Sequence, residues 1–247
     1  MTSSQGREAR QAMSIRHLLR LLISFCLSAF GAAVPASAAE ESPGIWAGGI
    51  LNDTLPFVNS SGQALYWAEA QGRYFDIGSG VNQYLLRGAV GYQLGGSLQA
   101  WVGYGRFRVR GPQGSPVDEN RFFQQLNWSA GQVLGGDLNV RARLLQRAVT
   151  NGDDTALVLR LLLAYSKPLS TNNPGKLLLR LEPFYDLRDT DWNGKAGLTQ
   201  NRIYAGLSWH LSETIALETG YMNQFLWRDT ARNLSNHLAV INFRMSL

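Results

Sequence analysis

The sequence KLLLRLEPFYDLR, residues 176–188, alternates between apolar and polar side chains along most of its length. One set of alternate positions holds Leu177, Leu179, Leu181, Tyr185 and Leu187, and the other holds Lys176, Arg180, Glu182, Asp186 and Arg188. A period of two is that of a β-strand, whose successive side chains point to opposite faces, and not that of a helix. The stretch therefore predicts a strand with one apolar face and one strongly charged face.

The same alternation recurs in segments that turn residues separate from one another. The predicted strands are 64–75, 81–94, 97–109, 119–131, 137–149, 156–167, 176–188, 200–211, 214–227 and 236–247, and a shorter apolar run, 44–51, precedes them. Each of the ten full segments is long enough for a tilted transmembrane strand, which needs about 9–11 residues.

The connections between these segments alternate between tight turns and longer polar loops. Tight turns fall at 94–96, 134–137 and 210–213, and longer loops fall at 110–118, 150–155, 189–199 and 228–235. Short turns at one end and long loops at the other are typical of an outer-membrane barrel. The segment 168–175 is an exception, since it predicts a longer connection at the short-turn end.

The run 44–51 leaves the number of strands open. Ten strands place residue 64 and the C-terminus at the same, periplasmic end, and an eleventh breaks that parity. The run is either a strand with an unseen partner, which gives twelve strands, or a periplasmic or plugging segment. The sequence thus predicts an all-β, antiparallel, up-and-down transmembrane barrel of 10–12 strands.

The N-terminal 38 residues predict a cleaved signal peptide. Four arginines precede an apolar stretch at 21–34, and Ala36-Ser37-Ala38 is a small-x-small cleavage pattern. The apolar stretch is shorter than the roughly 20 residues of a membrane-spanning helix. The predicted organisation is a signal peptide at 1–38, an N-terminal segment with a candidate first strand at 39–63, and a barrel at 64–247, with Met1 and Met13 both open as start sites.

Removal of the signal peptide changes the charge balance. The chain has 23 Lys and Arg against 18 Asp and Glu, of which residues 1–38 hold 4 Arg and 1 Glu, so 19 basic and 17 acidic residues remain. A net charge near +2 removes the main support for a nucleic-acid partner. The one cysteine, Cys26, falls in the predicted signal peptide, which excludes thiol catalysis and cysteine-based metal sites in the mature chain.

A secreted soluble β-sandwich is the alternative fold, because its strands alternate in the same way. Aromatic residues at strand ends on the apolar face favour the membrane, where they form interfacial girdles. They are Tyr66, Tyr74, Tyr84, Tyr92, Phe122, Trp128, Tyr165, Tyr185, Trp209 and Phe225. The last strand also ends the chain with Ile241, Phe243, Met245 and Leu247 on one face, in the manner of a barrel-assembly signal.

A set of short motifs resembles a known bacterial family. The motifs are Glu119-Asn120-Arg121-Phe122 with Gln124-Gln125-Leu126, Arg141-x-Arg143 with Gln146-Arg147, Glu182-x-Phe184, Gln200-Asn201-Arg202 with Gly206, Glu218-x-Gly220-Tyr221 with Asn223-Gln224, and Asn236-His237. Their order and spacing, over residues 44–247, resemble the domain of unknown function 2490 family of outer-membrane proteins. The resemblance implies an outer-membrane barrel in a Gram-negative bacterium and implies no activity.

With the apolar face toward lipid, the polar face would line the barrel lumen. The candidate lumen residues are Arg73, Arg87, Glu119, Arg121, Arg141, Arg143, Arg147, Arg160, Arg180, Glu182, Arg202, Glu218, Gln224 and Arg244. Charged side chains are tolerated at membrane depth when they face a cavity and pair with one another. The assignment is least determined in 97–109, where Trp101 and Tyr104 compete for the lipid face.

Three functions remain compatible with this lumen. The side chains could interlock as the core of a structural barrel, or the excess of arginine could make a narrow, porin-like channel that favours anions such as acidic sugars, carboxylates or phosphates. A membrane-embedded hydrolase is the third, on Ser208 and His210, which share the polar face near a tight turn. The expectation is a monomer without enzymatic activity or cofactor, whose partners are outer-membrane lipids, the barrel-assembly machinery and small anionic solutes.

Overall fold

The computed structural model describes residues 39–55, 64–77, 80–111, 114–170, 173–229 and 231–247. The predicted signal peptide, 1–38, lies outside the described residues. Eleven strands form in the described part of the chain: β1 (Glu40–Thr54), β2 (Ala64–Phe75), β3 (Asn82–Gly95), β4 (Leu98–Arg110), β5 (Val117–Val133), β6 (Gly136–Val149), β7 (Thr155–Ser170), β8 (Asn173–Asp186), β9 (Gly197–His210), β10 (Ile215–Leu226) and β11 (Leu234–Met245). No helix among these residues is long and apolar enough to cross a membrane.

The eleven strands close into a barrel in which each strand pairs with its sequence neighbours and β1 pairs with β11. Closure leaves no unpaired sheet edge, so the backbone polar groups can be satisfied within the sheet, as a hydrocarbon environment requires. The prediction of an all-β barrel of 10–12 strands is confirmed, and the soluble sandwich is excluded, because a sandwich consists of two open sheets.

Strand β1 closes the barrel in a way that the sequence analysis did not foresee. It is antiparallel to β2 but parallel to β11, with Trp46 opposite Val240 and Ala47 opposite Ile241. The run 44–51 is therefore a strand, as the first alternative predicted, but in the described part of the chain it pairs with β2 and β11 and not with a twelfth strand. The alternative of a periplasmic or plugging segment is wrong, and the barrel begins at Glu40 and not at residue 64. A closed barrel whose pairs are all antiparallel needs an even number of strands, whereas one parallel seam allows an odd number.

The two ends of the barrel differ in their connections. At the turn end, two-residue connections follow β3, β5 and β7, and residues 211–214 follow β9, whereas the nine residues 55–63 that follow β1 are a longer connection at the same end. At the loop end lie the longer segments 111–116, 150–154, 187–196 and 227–233. The chain enters β1 at the loop end and leaves β11 at the turn end, so an odd number of strands places the two termini of the barrel at opposite ends.

The prediction of a longer connection at 168–175 is wrong. Strand β7 continues to Ser170 and β8 begins at Asn173, and these two residues pair with each other. Pro168 misled the sequence analysis, because proline usually ends a strand. The register shifts between Pro168 and Ser170, so a local irregularity accommodates the missing backbone N–H group.

The outer surface of the barrel is apolar and its interior is polar and aromatic. Exposed side chains on the outer face include Leu86, Val102, Phe122, Leu126 and Ile241, whereas the buried set includes Glu69, Arg143, Arg160, Glu182 and Glu218. Within β4, Tyr104 is exposed and Trp101 is buried, which settles the orientation left open for 97–109. Gly103 allows this packing, because a Cβ there would collide with the ring of Phe123.

The parallel seam can be tested by a disulfide across it. In the variant Ala47→Cys/Ile241→Cys, both cysteines are on the outer face and are paired in register, at the spacing of adjacent strands, about 4.8 Å. We expect this disulfide to form, because cysteine Cα atoms within about 6.8 Å can be bridged. The measurement is a reduction-sensitive shift in the electrophoretic mobility of the refolded protein.

The matched control is Ala47→Cys/Phe243→Cys, which keeps both cysteines on the outer face but moves one of them two residues along β11. The Cα separation then exceeds about 7 Å, and we expect little cross-linking. Equal cross-linking in both variants, or cross-linking in the control alone, would contradict the parallel register.

Candidate functional site

Glu182 on β8 is the central carboxylate of the interior. Its Oε1 accepts hydrogen bonds from Arg160, at 2.7 Å from Nη2, and from Arg141, while Oε2 is 3.8 Å from Nη1 of Arg202. These arginines come from β7, β6 and β9, so one carboxylate joins four strands. Because the side chains of Arg160 and Glu182 are almost fully buried, each charge depends on the others for solvation.

A second carboxylate cluster lies near the loop end. The carboxylate of Glu119 accepts from Nε of Arg121 at 2.6 Å and from Nε of Arg147 at 2.5 Å. Arg147 also donates to Oδ1 of Asn193 at 3.1 Å, which ties the wall of the barrel to the loop between β8 and β9.

The turn end has its own cluster around Glu218 on β10. Nη2 of Arg180 lies 3.0 Å from both carboxylate oxygens, and Nη1 of Arg244 lies 3.5 Å from one of them. The carboxylate is buried, but the side chains of Arg180 and Arg244 are 27% and 40% exposed. Deeper in the barrel, Glu69 forms an ion pair with Arg87.

Arg73 and Arg143 are buried against neutral acceptors and aromatic rings. Nη2 of Arg73 donates to Gln71 at 2.9 Å, and its guanidinium lies 3.6 Å from the ring centre of Trp46. Nε of Arg143 donates to Gln125 at 2.7 Å. Cation–π contact and a glutamine oxygen take the place of a carboxylate, which stabilises the cation without adding a negative charge.

Interior aromatic residues are the part of the site that the sequence analysis missed. Trp46, Trp67, Phe107, Phe123 and Phe184 all receive guanidinium groups over their rings. Aromatic composition alone predicts a lipid-facing side chain, yet Trp67, Phe107, Phe123 and Phe184 each share the alternation of an inward arginine or glutamine on their own strand. Strict alternation along the strand would have placed Trp67 on the inner face with Glu69, and Phe123 on the inner face with Arg121.

Five side chains pack together in the loop-end part of the interior, and we name them the outer plug: Arg73, Phe107, Glu119, Arg121 and Arg147. The guanidinium of Arg121 lies 3.4 Å from the ring centre of Phe107, and that of Arg73 lies 5.4 Å from the same ring. Phe107 is 1% exposed. The members of the outer plug come from β2, β4, β5 and β6, which lie on one side of the barrel wall.

Loops at the same end are joined by hydrogen bonds. The carboxylate of Asp191 accepts from the backbone N–H groups of Asp153 at 3.0 Å and Asp154 at 3.2 Å, and Trp192 donates its Nε1–H to the carbonyl of Asp154 at 2.7 Å. The hydrogen bond from Asp153 lowers the pKa of Asp191, because it favours the charged carboxylate. Oδ2 of Asp229 accepts from the backbone N–H of Lys195, so three loops are joined to one another.

The turn-end half of the interior holds a cavity of about 770 Å³, which we name the chamber. It extends from rim residues such as Thr54, Ser97 and Ser246 to a floor that includes Arg87 and Glu69. The members of the outer plug do not line it. Its charged lining consists of Arg87, Arg141, Arg143, Arg160, Arg180, Arg202 and Arg244 against Asp53, Glu69, Glu182 and Glu218.

Seven arginines against four carboxylates leave three positive charges in excess around the chamber. Several of its polar atoms also have no hydrogen-bond partner: Trp46 Nε1, Asp53 Oδ2, Arg141 Nε, Tyr204 OH and Asn242 Oδ1. Buried polar atoms are nearly always hydrogen-bonded in proteins. These five atoms are themselves covered by protein, so what the chamber offers to a solute is its positive charge.

The structure places the candidate lumen residues on the inner side of the barrel and divides them by depth. Glu119, Arg121 and Arg147 join Arg73 in the outer plug, and Gln224 is buried beside Asn236, to which it is hydrogen-bonded. The remaining candidates line the chamber: Arg87, Arg141, Arg143, Arg160, Arg180, Glu182, Arg202, Glu218 and Arg244. Of the hydrolase candidates, Ser208 is buried and His210 is exposed at the turn end.

Comparison with known proteins gives a family and related barrels. The family model described as "Protein of unknown function (DUF2490)" matches residues 51–235. An uncharacterised protein of Methylorubrum extorquens is 34% identical over 214 residues, covering 85% of this chain and 90% of that protein.

Two solved structures are similar to parts of the barrel. The translocator domain of the autotransporter NalP from Neisseria meningitidis aligns with a TM-score of 0.39 and 17% identity, covering 71% of this chain and 72% of that one. An anion-selective porin from Comamonas acidovorans aligns with a TM-score of 0.35 and 13% identity, covering 72% and 55%. At these scores, the two likenesses carry no inference about function.

Removal of the central carboxylate tests the ion-pair network. In Glu182→Gln, the cluster of Arg160, Arg141 and Arg202 loses its negative charge, and we expect the free energy of unfolding to fall by about 3–5 kcal/mol. The measurement is urea unfolding of the refolded protein in detergent micelles.

The control for this experiment is Glu213→Gln, which removes the same charge from an exposed turn. A surface carboxylate contributes little, so the control should unfold like the wild type. If Glu182→Gln unfolds at the same urea concentration as the control, the buried network does not stabilise the barrel as described.

Proposed function

Since the chain belongs to the DUF2490 family, whose members are proteins of unknown function, we propose a function from the geometry of the barrel. The protein is a bacterial outer-membrane barrel that is closed at its loop end and holds an anion-attracting chamber open at its turn end. The observation that carries this proposal is the division of one polar lumen into an outer plug and a chamber.

The apolar outer surface supports a location in the outer membrane. Leu86, Val90, Val102 and Leu126 are exposed around β3 to β5, where a soluble protein would carry polar side chains. Aromatic residues such as Tyr92 and Phe122 add to this surface, as in the interfacial girdles of barrels. Short turns in such barrels face the periplasm, so the chamber would open toward the periplasm.

The outer plug supports a closed barrel over an open channel. A channel needs a continuous path, and Phe107 lies in the interior, in contact with two guanidinium groups and with almost no exposed surface. Moving Arg121 or Arg147 aside would break its pairing with Glu119. Separation of a buried ion pair is costly, so the plug would remain in place at rest.

A narrow anion-favouring channel is the second candidate, and the excess of arginine in the chamber favours it. Positive rings in a pore attract anions and raise their local concentration. The two candidates differ in one respect only: the channel requires the outer plug to move, whereas the closed barrel takes up anions from one side.

Planar-bilayer conductance distinguishes the two candidates. We expect the wild-type protein to give few or no conductance steps. The variant Arg73→Ser/Phe107→Ala shortens two members of the outer plug and should give regular steps. Because the chamber keeps its excess of arginine, the reversal potential of this variant in a salt gradient should indicate a preference for anions.

Two controls make this experiment specific. Leu86→Ala shortens an outward side chain of β3 and should leave the wild-type behaviour unchanged. Adding Arg141→Gln and Arg244→Gln to the opened variant should reduce its anion preference, because both side chains line the chamber. Large, regular steps from the wild-type protein would overturn the closed barrel, and unchanged selectivity would overturn the role of the chamber arginines.

A further inference from the structure

Three exposed arginines stand in a row on the outer face of β4, at its loop end. We name Arg106, Arg108 and Arg110 the outer arginine row. They alternate along β4 with inward residues such as the buried Phe107, and the side chains of Arg106 and Arg108 are 63% and 57% exposed. The other arginines of the described strands belong to the inner face: Arg73, Arg87, Arg121, Arg141, Arg143, Arg147, Arg160, Arg180, Arg202 and Arg244. The outer face therefore concentrates its strand arginines at one place.

One carboxylate on the adjacent strand orients this row. Asp118 on β5 accepts a hydrogen bond from Nη2 of Arg106 at 3.0 Å, and its other oxygen lies 3.5 Å from Nε of Arg108. The remaining in-register neighbours of the row are uncharged: Asn82, Tyr84 and Leu86 on β3, and Asn120 on β5. Three guanidinium groups beside one carboxylate leave two positive charges in excess. Each guanidinium that binds Asp118 also keeps most of its N–H groups for a ligand.

An aromatic pair fixes the depth of the row in the proposed outer membrane. Tyr104, the outward residue before Arg106, packs against Phe122 with ring centres 4.9 Å apart, and its hydroxyl donates to Oδ1 of Asn120 at 2.6 Å. Aromatic girdles mark the membrane–water interface of a barrel, and an outward arginine is far less costly there than at the midplane. The row lies beyond this pair, at the depth of the lipid headgroups.

Apolar side chains continue the same face toward the turn end. Val90, Val102 and Leu126 are exposed there. The smaller side chains of Ala100 and Ala142 lie among them and leave a groove of about 600 Å³. Two of the strands that form this groove, β4 and β5, also carry the arginine row and its carboxylate. A cationic site that an aromatic pair separates from an apolar groove matches a molecule with an anionic head and hydrocarbon chains.

Resting on the outer-membrane location in the proposed function, we propose that the outer arginine row binds the phosphate groups of lipopolysaccharide, the glycolipid of the outer leaflet. The long loops of such barrels face the cell exterior, so the row meets that leaflet. Guanidinium groups match phosphate oxygens with paired hydrogen bonds, and Arg106 and Arg108 supply two of them side by side. Their ion pairs with Asp118 hold both side chains in place before the lipid binds, which lowers the entropic cost of binding. The groove takes an acyl chain of the same lipid.

Native mass spectrometry of the refolded, full mature chain in detergent micelles tests this site with three probes. Lipid A carries phosphate groups and acyl chains, enzymatically dephosphorylated lipid A carries the same acyl chains alone, and inorganic phosphate carries the charge alone. We expect lipid A to bind at least tenfold more tightly than its dephosphorylated form. Inorganic phosphate at the same concentration as lipid A should not displace it.

A double variant assigns the contact. Arg106→Gln/Arg108→Gln should weaken the binding of lipid A by about tenfold, because it removes two charge-assisted contacts with phosphate, and should leave the dephosphorylated lipid unaffected. The matched control is Arg228→Gln/Arg232→Gln, which removes the same charge from exposed residues of the loop between β10 and β11. This control should bind both lipids like the wild type.

The outcomes separate this inference from the proposed function. Equal binding of the two lipids by the wild type, equal weakening in the two double variants, or displacement by inorganic phosphate overturns the lipid site and leaves the closed barrel and its chamber intact. Flotation with phosphatidylcholine vesicles on a density gradient tests the membrane location itself, and wild-type protein that does not float overturns both. Retained heat-modifiable mobility on gels shows that each variant has folded.

Discussion

A guanidinium group stays charged almost everywhere in a protein, and this barrel buries many of them. Taking such a charge out of water is unfavourable unless other groups replace its hydration. The interior supplies three kinds of replacement: shared carboxylates such as Glu182 and Glu119, glutamine oxygens such as that of Gln125, and aromatic faces such as that of Phe107. Because these partners come from different strands, satisfying the arginines also fixes the cross-section of the barrel.

The same constraint separates the two halves of the interior. Toward the loop end, Arg121 and Arg147 share Glu119, and the buried side chain of Phe107 occupies the interior near them. Toward the turn end, Arg180 and Arg244 share Glu218 but retain exposed surface. One end is thus a self-solvated core and the other is a polar chamber, although both use arginine and glutamate.

Much of the fold follows from the sequence, because alternation in residues such as 176–188 fixes which face each side chain takes. Three features did not follow. The parallel pairing of β1 is a long-range contact that no local pattern encodes. Inward aromatic residues such as Trp67 and Phe123 have the composition of lipid-facing residues and only the parity of lumen residues. The division into outer plug and chamber depends on which residues meet across the barrel, and this in turn depends on strand number and register.

The sidedness of the strands underlies the whole account, and spin labels test it most directly. The predicted mature chain has no cysteine, so single labels can be placed at Leu86→Cys and Leu126→Cys on the outer face and at Arg244→Cys in the chamber. In lipid vesicles, the two outer labels should collide with oxygen, which concentrates in the hydrocarbon. The chamber label should collide with a water-soluble nickel complex. Outer labels that are more accessible to the nickel complex than to oxygen would contradict the barrel described above.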